Sequence, residues 1–378
     1  MRIFFPKLDS LRFLAFFFVY WDHCISLLLS RFFSDDHEAT YERYPFLLTF
    51  KKIILYYMDP IQRTGGLGVH MFFVISGFLI TYLLIAEFEQ TGKIQVVQFY
   101  KRRALRIWPL YFFCMIMGAL LLPKVFSAFV YCGNIFLGLS FLNNYDVIYY
   151  FDRCANPQMV IAWSVAIEEQ FYIFWPLLFL LIIKMNSLFR YLSCLALIAG
   201  SLIFIYNTQG VFRGYHTFSN MIFLMTGCLG AFYFKNNLSS KVLQAINNNI
   251  FIIVLITVAV QIFKFYYSWV LSISYILLPF LYLAIVVYFS LCKKGPANVF
   301  DTLGKYTYGM YFYHTMVLTA IFVLFDILQL KYNQNSMIMF WAVVLTLPAT
   351  ILVSIISYNV LERPFLLFKK RLAVVQTR

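Results

Sequence analysis

The stretch "LDSLRFLAFFFVYWDH", residues 8–23, reads as a membrane-spanning helix that carries ionisable side chains at both ends. Arg12 lies near its start, and Asp22 and His23 lie at its end. Ionisable groups inside a span are costly, so they usually face a protein interior or a polar cavity. The stretch therefore predicts a transmembrane helix whose polar residues are candidates for function.

The composition of the whole chain is that of a membrane protein. Of its 378 residues 62% are hydrophobic and 12% are charged, and the mean hydropathy is +0.78. A soluble domain is about half apolar and about a quarter charged. The net charge of +14 could indicate nucleic acid, but cytoplasmic positive residues and anionic lipid account for it in a membrane protein, so we expect no nucleic-acid partner. The first span has no small-residue cleavage site and is not interpreted as a signal peptide.

Runs of about 20 mostly apolar residues, enough to cross a bilayer as a helix, recur along the chain. The candidates are roughly 10–30, 66–86, 107–123, 163–183, 191–210, 214–234, 244–263, 270–291, 306–326 and 337–360. They predict an all-α, polytopic membrane protein with about ten transmembrane helices.

An eleventh apolar run, residues 126–142, contains Ser, Gly and Asn, and charge decides its interpretation. If this run does not cross and the amino terminus is inside, 20 of the 30 Lys and Arg residues face the cytoplasm; if it crosses, 12 do. Positive residues favour the cytoplasmic side. We therefore expect 126–142 to be re-entrant or interfacial on the outer side, and both termini to be cytoplasmic.

No linker separates a second folded domain, so we expect one transmembrane domain over 1–365 and a basic cytoplasmic tail over 366–378. The seven cysteines contain no C-x-x-C pair, and most lie in apolar runs. Free cysteine in such a run behaves as a small hydrophobe. Cys132 and Cys154 could pair if both face an oxidising compartment.

Arg12 and His23 are eleven residues apart, so on a helix they share nearly the same face and are separated by about 16 Å. Both could line one internal groove, with Arg12 near the cytoplasm and His23 toward the outer half. Alternatively, Arg12 reaches the inner interface as long cationic side chains do, and His23 is a core histidine hydrogen-bonded to a neighbour.

A basic motif, "QFYKRRALRIWPLYF" at 98–112, adjoins a predicted span on its cytoplasmic side. It could simply anchor the orientation of that helix. Arg102 and Arg106, however, share a face at i, i+4 spacing, and guanidinium groups suit phosphate oxygens. An anion site is the functional interpretation.

An acidic motif, "AWSVAIEEQFYIFWP" at 162–176, opens a span on the outer side. Glu168 and Glu169 could be acids favoured by the positive end of the helix dipole. With Trp163 and Ser164 beside them, they also fit a polar pocket that faces outward.

Three further histidines fall in predicted spans. His70 lies near the Gly-rich outer end of "GGLGVHMFFVISGFLIT", 65–81, and His314 lies two turns into the span that includes "LGKYTYGMYFYHTMV", 303–317. His314 could be a site residue or could hydrogen-bond a neighbouring helix. His216 is interpreted as structural.

Six segments, in this order, resemble the type-3 membrane acyltransferase family, which includes O-acetyltransferases of bacterial surface polysaccharides and O-antigen. They are "LDSLRFLA" with "WDH", "GGLGVHMFFVISGFLIT", "FYKRRALRIWPLYF", "AWSVAIEEQFYIFWP", "LGKYTYGMYFYH" and "LERPF". The resemblance runs from Leu8 to about Phe365. It implies transfer of an acyl group, usually acetyl, from cytoplasmic acetyl-CoA to a sugar hydroxyl outside the bacterial inner membrane.

The resemblance also implies roles for individual residues. His23 matches the family's essential histidine and Arg12 the basic residue of its Arg-x10-His motif. The remaining matches are the Arg-rich motif at Arg102, Arg103 and Arg106 and the acidic pair at Glu168 and Glu169. We expect the three arginines, with Arg12, to hold the CoA phosphates, and the catalytic glutamates to orient an imidazole or to bind the acceptor's hydroxyls. His70 departs from the common pattern, which has Asp at that position. Family members with an extra hydrolase-like outer domain are several hundred residues longer, so we expect this chain to act alone or with partners.

Several points stay open at this level. His23 could act as a general base or as a nucleophile, and Tyr111 or the amides near Gly65–Gly68 are candidate oxyanion donors. No metal is expected. A proton-coupled secondary transporter also uses buried Arg, His and Glu, although we see no repeated halves; an assembly subunit with idle site residues is a second alternative.

Overall fold

The computed structural model describes residues 5–32, 65–125, 133–150, 160–292, 298–327 and 336–372. Within these ranges all regular structure is helical, which confirms the all-α prediction. The helices in chain order are α1 (Lys7–Phe32), α2 (Gly65–Thr91), α3 (Val96–Ile116), α4 (Ile135–Leu139), α5 (Asn143–Tyr150), α6 (Ala162–Ile182), α7 (Ser187–Asn207), α8 (Gly210–Tyr215), α9 (Thr217–Asn236), α10 (Lys241–Asn248), α11 (Ile250–Phe263), α12 (Ser268–Leu291), α13 (Val299–Leu303), α14 (Thr307–Ile327), α15 (Ser336–Ser357) and α16 (Arg363–Arg371). A π-helical turn, Met117–Leu121, and a last turn, Leu122–Val125, extend α3; a 3₁₀ turn, Gly304–Tyr306, precedes α14; and a π-helical turn, Tyr358–Glu362, joins α15 to α16.

Eight helices or continuous helix pairs in the described ranges are long and apolar enough to cross a membrane. The number becomes nine if α10 and α11, which meet at a 72° bend, form one broken span. The 26-residue α1 is also long enough, but it carries Arg12, Asp22 and His23 and is not among these eight. The chain is a polytopic membrane protein, and the predicted number of ten spans is not confirmed.

The described part of the 126–142 segment is too short to cross a membrane. From residue 133 onward it forms the five-residue α4, a turn, and the eight-residue α5, whereas residues 126–132 lie outside the described ranges. Phe141 at the turn has φ 56°, an unusual backbone conformation for a residue with a side chain. Its carbonyl oxygen accepts a 2.8 Å hydrogen bond from Gln170 Nε2 on α6, and its ring lies 4.5 Å from that of Tyr111 on α3. Neighbouring helices therefore hold this turn in place.

The structure describes five of the seven cysteines, and the predicted pairing of Cys132 with Cys154 falls outside the described residues. The five described cysteines are free, and four of them are buried: Cys24, Cys114, Cys194 and Cys228. These four fit the interpretation as small apolar core residues.

Two glycines bring α2 and α9 into close contact at the centre of the bundle. A Cβ added at Gly77 would collide with the carbonyl oxygen of Leu224, and one added at Gly227 would collide with that of Val74. Small residues of this kind let helix backbones approach closely in membranes, where packing replaces the hydrophobic effect between helices. The α2–α9 pair is therefore the tightly packed centre around which the polar helices are arranged.

The amino-terminal end of α1 contacts the short helix α13. Lys7 Nζ lies 2.7 Å from Asp301 Oδ2, and the Ser10 hydroxyl donates to the other oxygen of the same carboxylate. Next to this contact, Gly304 packs against the backbone of Asp9 so closely that a Cβ would not fit. These contacts fix α1 against the helix that follows, α14.

We expect Gly77→Ala to destabilise the protein by about 1–3 kcal/mol, the usual cost of overpacking a tight interior contact. The measurement is thermal unfolding of the purified protein in detergent. Gly200→Ala is the matched control, because Gly200 is also helical but has open space within 4 Å of an added Cβ. Equal unfolding temperatures for the two variants would contradict the packing assigned to the α2–α9 contact.

Candidate active site

The contact between α1 and α14 brings two imidazoles together inside the bundle. His314 Nε2 lies 3.3 Å from His23 Nδ1, and the two ring centroids are 5.1 Å apart. His314 has no exposed surface, whereas His23 is half-buried. The sequence predicted both as candidates, but it gave no reason to pair them.

The backbone around the two rings indicates which nitrogen atoms carry protons. His314 Nδ1 lies 3.1 Å from the carbonyl oxygen of Met310, and His23 Nδ1 lies 2.8 Å from that of Val19. A carbonyl oxygen only accepts, so in the neutral rings each Nδ1 carries the proton. His314 Nε2 is then an acceptor that faces the Nδ1–H of His23. This arrangement leaves Nε2 of His23 as the unprotonated nitrogen, the one able to take up a proton.

Aromatic and hydroxyl groups surround His314 on its other sides. The ring of Phe16 meets it edge to face at 5.7 Å, and the ring of Tyr311 lies 5.9 Å away. The hydroxyl of Tyr311 is 2.7 Å from that of Ser164 on α6. Trp163, the neighbouring candidate, is half-buried against Tyr215, at 4.8 Å between ring centroids. Ser164 is thus joined to the histidine pair through one tyrosine.

The two adjacent glutamates lie one to two turns further along α6 and have separate partners. Glu168 accepts hydrogen bonds from Ser76 at 2.8 Å and from Tyr172 at 3.0 Å. Glu169 accepts one from Trp108 Nε1 at 2.9 Å, and its Oε1 is buried without a hydrogen-bond partner in the described part of the chain. Among the residues described, His314 and not either glutamate is the side chain that hydrogen-bonds His23.

The arginines of the basic motif differ from one another in their contacts. Arg102 is buried and forms a 2.8 Å ion pair with Glu87 at the end of α2. Arg103 lies over the rings of Phe99 and Tyr172, at 5.5 Å and 5.7 Å, and its Nε is buried without a partner among the described residues. Arg106 is half-buried on the same helix.

Arg12 connects this basic group to α1. Its Nη1 lies 2.7 Å from Asp9, one turn earlier on α1. Arg12 and Arg103 are also close enough to Glu168 for their charges to act on it. Two arginines predicted to be cytoplasmic therefore lie near Glu168, one of the glutamates predicted to face outward.

Together these groups form a line of polar side chains across the helices. It runs from Arg12 and Arg103, past Glu168 with Ser76 and Tyr172, to Ser164 with Tyr311, and ends at His314 and His23. Sequence reasoning missed the connecting residues Ser76 and Tyr311. Both residues lie in apolar helices, and their spacing from other polar residues does not identify them as site residues.

Three other residues picked out from the sequence have neighbours of their own. His70 stacks on Phe223 at 3.9 Å, and its Nδ1 has no hydrogen-bond partner in the described ranges. Tyr111 donates its hydroxyl to the carbonyl oxygen of Gly138 at 2.6 Å, so it supports α4. His216 Nδ1 accepts from the amide of Phe218 at the start of α9, in agreement with a structural role.

Comparison with known proteins identifies the family. The profile of the family described as "Acyltransferase domain" matches residues 5–359. The chain belongs to this family. Among curated proteins, O-acetyltransferase OatA of Staphylococcus aureus strain NCTC 8325 is 28% identical over 346 residues, which cover 82% of this chain and 54% of the relative. OatA of strain COL gives the same values.

The chain of this acyltransferase-family member spans about half the length of the curated relatives it matches. A search of solved structures finds no match. Within the described residues, no group of three or more His, Cys, Asp or Glu side chains is arranged to hold a metal ion.

We expect Arg102→Ala to destabilise this acyltransferase-family protein in the absence of any ligand. The substitution leaves Glu87 buried without its cation, a change that typically costs about 3–5 kcal/mol. Thermal unfolding in detergent measures it. The double variant Arg102→Met with Glu87→Met is the control, because it removes both charges and should recover most of the lost stability. An Arg102→Ala protein that unfolds at the wild-type temperature would show that the pair has no structural role.

Proposed function

We propose that this protein is an O-acyltransferase of the bacterial inner membrane. It would move an acyl group, acetyl in the simplest case, from cytoplasmic acyl-CoA to a hydroxyl of a carbohydrate outside the membrane. Membership of the acyltransferase family and the names of the relatives support the chemistry. The single structural observation that carries the proposal is the His23–His314 contact at the end of a polar line that begins at the arginines.

The proposed donor path solves a physical problem. The phosphate head of CoA is highly charged and cannot enter lipid, whereas its pantetheine arm is thin and largely uncharged. Arg12, Arg103 and Arg106 would hold the phosphates by charge-assisted hydrogen bonds at the inner end. The arm would then follow the polar line, and the thioester would lie beside His23, about 16 Å further along α1 than Arg12. Arg102, which the sequence placed in the same phosphate site, is paired with Glu87 and would contribute mainly by fixing α3.

The proposed chemical role of His23 follows from its orientation. With Nδ1–H directed at Val19 and His314, its Nε2 is free to take the proton of the acceptor hydroxyl as that oxygen attacks the thioester carbonyl. The C–S bond then breaks, and the imidazolium returns the proton to the departing CoA thiolate. The same nitrogen could instead receive the acyl group first and pass it on. Both routes need the same tautomer, so the geometry supports them equally.

The glutamates and the oxyanion donor have proposed places too. Glu168 is half-buried and lies along the line, where it could accept a hydrogen bond from an acceptor hydroxyl or help position the donor arm. The amides of Gly65–Gly68 open α2, and helix-start amides lack intrahelical partners. They suit an oxyanion better than Tyr111, whose hydroxyl is donated to Gly138.

The alternative functions considered from the sequence gain no support. The family match is to acyltransferases, and none of the comparisons points to a proton-coupled transporter. An assembly subunit with idle residues would have no need of two imidazoles placed 3.3 Å apart.

The decisive test uses the purified protein with radiolabelled acetyl-CoA and a surface-glycan acceptor extract. We expect acceptor-dependent release of free CoA, and we expect His23→Ala to lower kcat at least about 10²-fold, the usual contribution of a positioned acid–base group. His216→Asn is the matched control, because it changes a histidine outside the site and Asn is also a good helix cap. Wild-type turnover by His23→Ala, or no turnover by the wild type, would refute the proposal.

His314 is proposed as a positioning residue, and its role gives a separate prediction. We expect His314→Ala to lower kcat by at least about tenfold with little change in donor KM, because the His23 ring loses the acceptor that orients its Nδ1–H. His314→Gln should recover part of the rate, since the amide oxygen can accept the same hydrogen bond. A Gln variant as slow as the Ala variant, or a loss confined to donor KM, would indicate that His314 only fills space.

A further inference from the structure

The last described helix, α16, packs against α3 and the arginines it carries. Arg102 Nη1 donates to the carbonyl oxygen of Leu372, just beyond α16, at 3.2 Å. Because Arg102 is also fixed by Glu87, this contact places the end of α16 beside the basic motif. The segment predicted from the sequence as a basic tail therefore includes a helical part of the bundle.

Lys369 lies on α16, which packs against the helix that carries three of the arginines. The charges of Arg106, Arg103, Arg102 and Arg12 all act on its ammonium group. Lys369 is half-buried, so its ammonium group is not simply directed away into bulk water. Five positive charges from three helices, α1, α3 and α16, therefore converge on one region.

Among the described residues, carboxylates form ion pairs with two of these five cations. Arg12 is paired with Asp9 and Arg102 with Glu87. In the part of the chain that the structure describes, no ion pair joins a carboxylate to Arg103, Arg106 or Lys369. Arg103 Nε is in addition buried without a hydrogen-bond partner. Like charges held together in a partly buried place repel each other strongly unless an anion joins them.

We propose that Lys369, together with the arginines, is part of the binding site for the phosphate-rich head of the acyl donor. The inference rests on the proposed function, which supplies such a donor, and extends the site to a helix that the family-matched residues, 5–359, do not include. The ammonium group of Lys369 adds a compact positive charge to the planar guanidinium groups of the arginines. Together, these cations suit a ligand that carries a diphosphate and a further phosphate. A phospholipid head group carries the same chemistry, but the half-buried position among three helices favours a ligand that enters the bundle over one that stays in the lipid surface.

The test measures CoA binding by isothermal titration calorimetry on the full-length chain in nanodiscs of zwitterionic lipid. We expect Lys369→Ala to raise the Kd for CoA about tenfold, the loss of one charge-assisted contact, and Lys369→Arg to stay within about threefold of wild type. Arg363→Ala is the matched control, since Arg363 is an exposed cation on the same helix, and its Kd should not change. Without CoA, Lys369→Ala should unfold at the same or a higher temperature than wild type, because it removes repulsion among the cations.

A second arm separates the two sources of phosphate. Phosphatidylglycerol is added to the nanodiscs in the absence of CoA, and its effect on the unfolding temperature is compared for wild type and Lys369→Ala. If Lys369→Ala binds CoA like wild type, or loses only the phosphatidylglycerol effect, the proposal is overturned. A wild-type protein that binds no CoA would refute both the proposed function and the role of Lys369. Equal CoA binding by the wild type and Lys369→Ala would refute only the role of Lys369.

Discussion

The close approach of α1 to α14 is the constraint on which the rest of the site depends. Lys7 and Ser10 bind one carboxylate, Asp301, and Gly304 lets the backbone of Asp9 come into contact just before α14 begins. About four turns further along α1, the same pair of helices brings His23 next to His314. A wider spacing at the amino-terminal end of α1 would separate the imidazoles, and Nδ1 of His23 would lose its side-chain partner. The geometry of the histidine pair thus depends on an ion pair and a glycine that lie outside the pair itself.

Much of this arrangement could be predicted from the sequence, because membrane helices leave two strong signals. Long apolar runs predicted the spans, and ionisable residues inside them marked Arg12, His23, Glu168 and His314, since lipid excludes such groups unless they face a polar interior. The eleven-residue spacing of Arg12 and His23 placed both on one face of α1, which is helical throughout. The apolar run predicts that the basic motif precedes a span, whereas α3 begins at Val96 and includes the motif. Arginines at a helix start lower the local hydropathy but not the tendency to form a helix.

The pairing of these residues could not be predicted, because it depends on how helices far apart in sequence pack. Nothing in "WDH" or "FYH" indicates that His23 and His314, 291 residues apart, share a hydrogen bond. The same holds for Arg102, whose spacing from Arg106 is compatible with a shared anion site, although Glu87 occupies its guanidinium group. Periodicity shows which face of a helix is polar, but the neighbour of that face is decided by small residues such as Gly77 and Gly227, which determine where helices can meet.

The charge distribution of the interior has a further consequence for how a donor could enter. The carboxylates of Glu168 and Glu169 accept hydrogen bonds from neutral groups, Ser76, Tyr172 and Trp108, and not from the arginines near them. Among the described residues, Arg103, Arg106 and Lys369 thus have no ion-pair partner in the region where a phosphate-rich head would bind. The groups between that region and the histidines are hydroxyls and hydrogen-bonded acids, which can solvate an uncharged amide arm but would repel a phosphate. This change from cationic to neutral and acidic side chains would hold the charged head at the arginines and let the thin arm continue. The order of side chains along the line would therefore determine which part of the donor reaches His23.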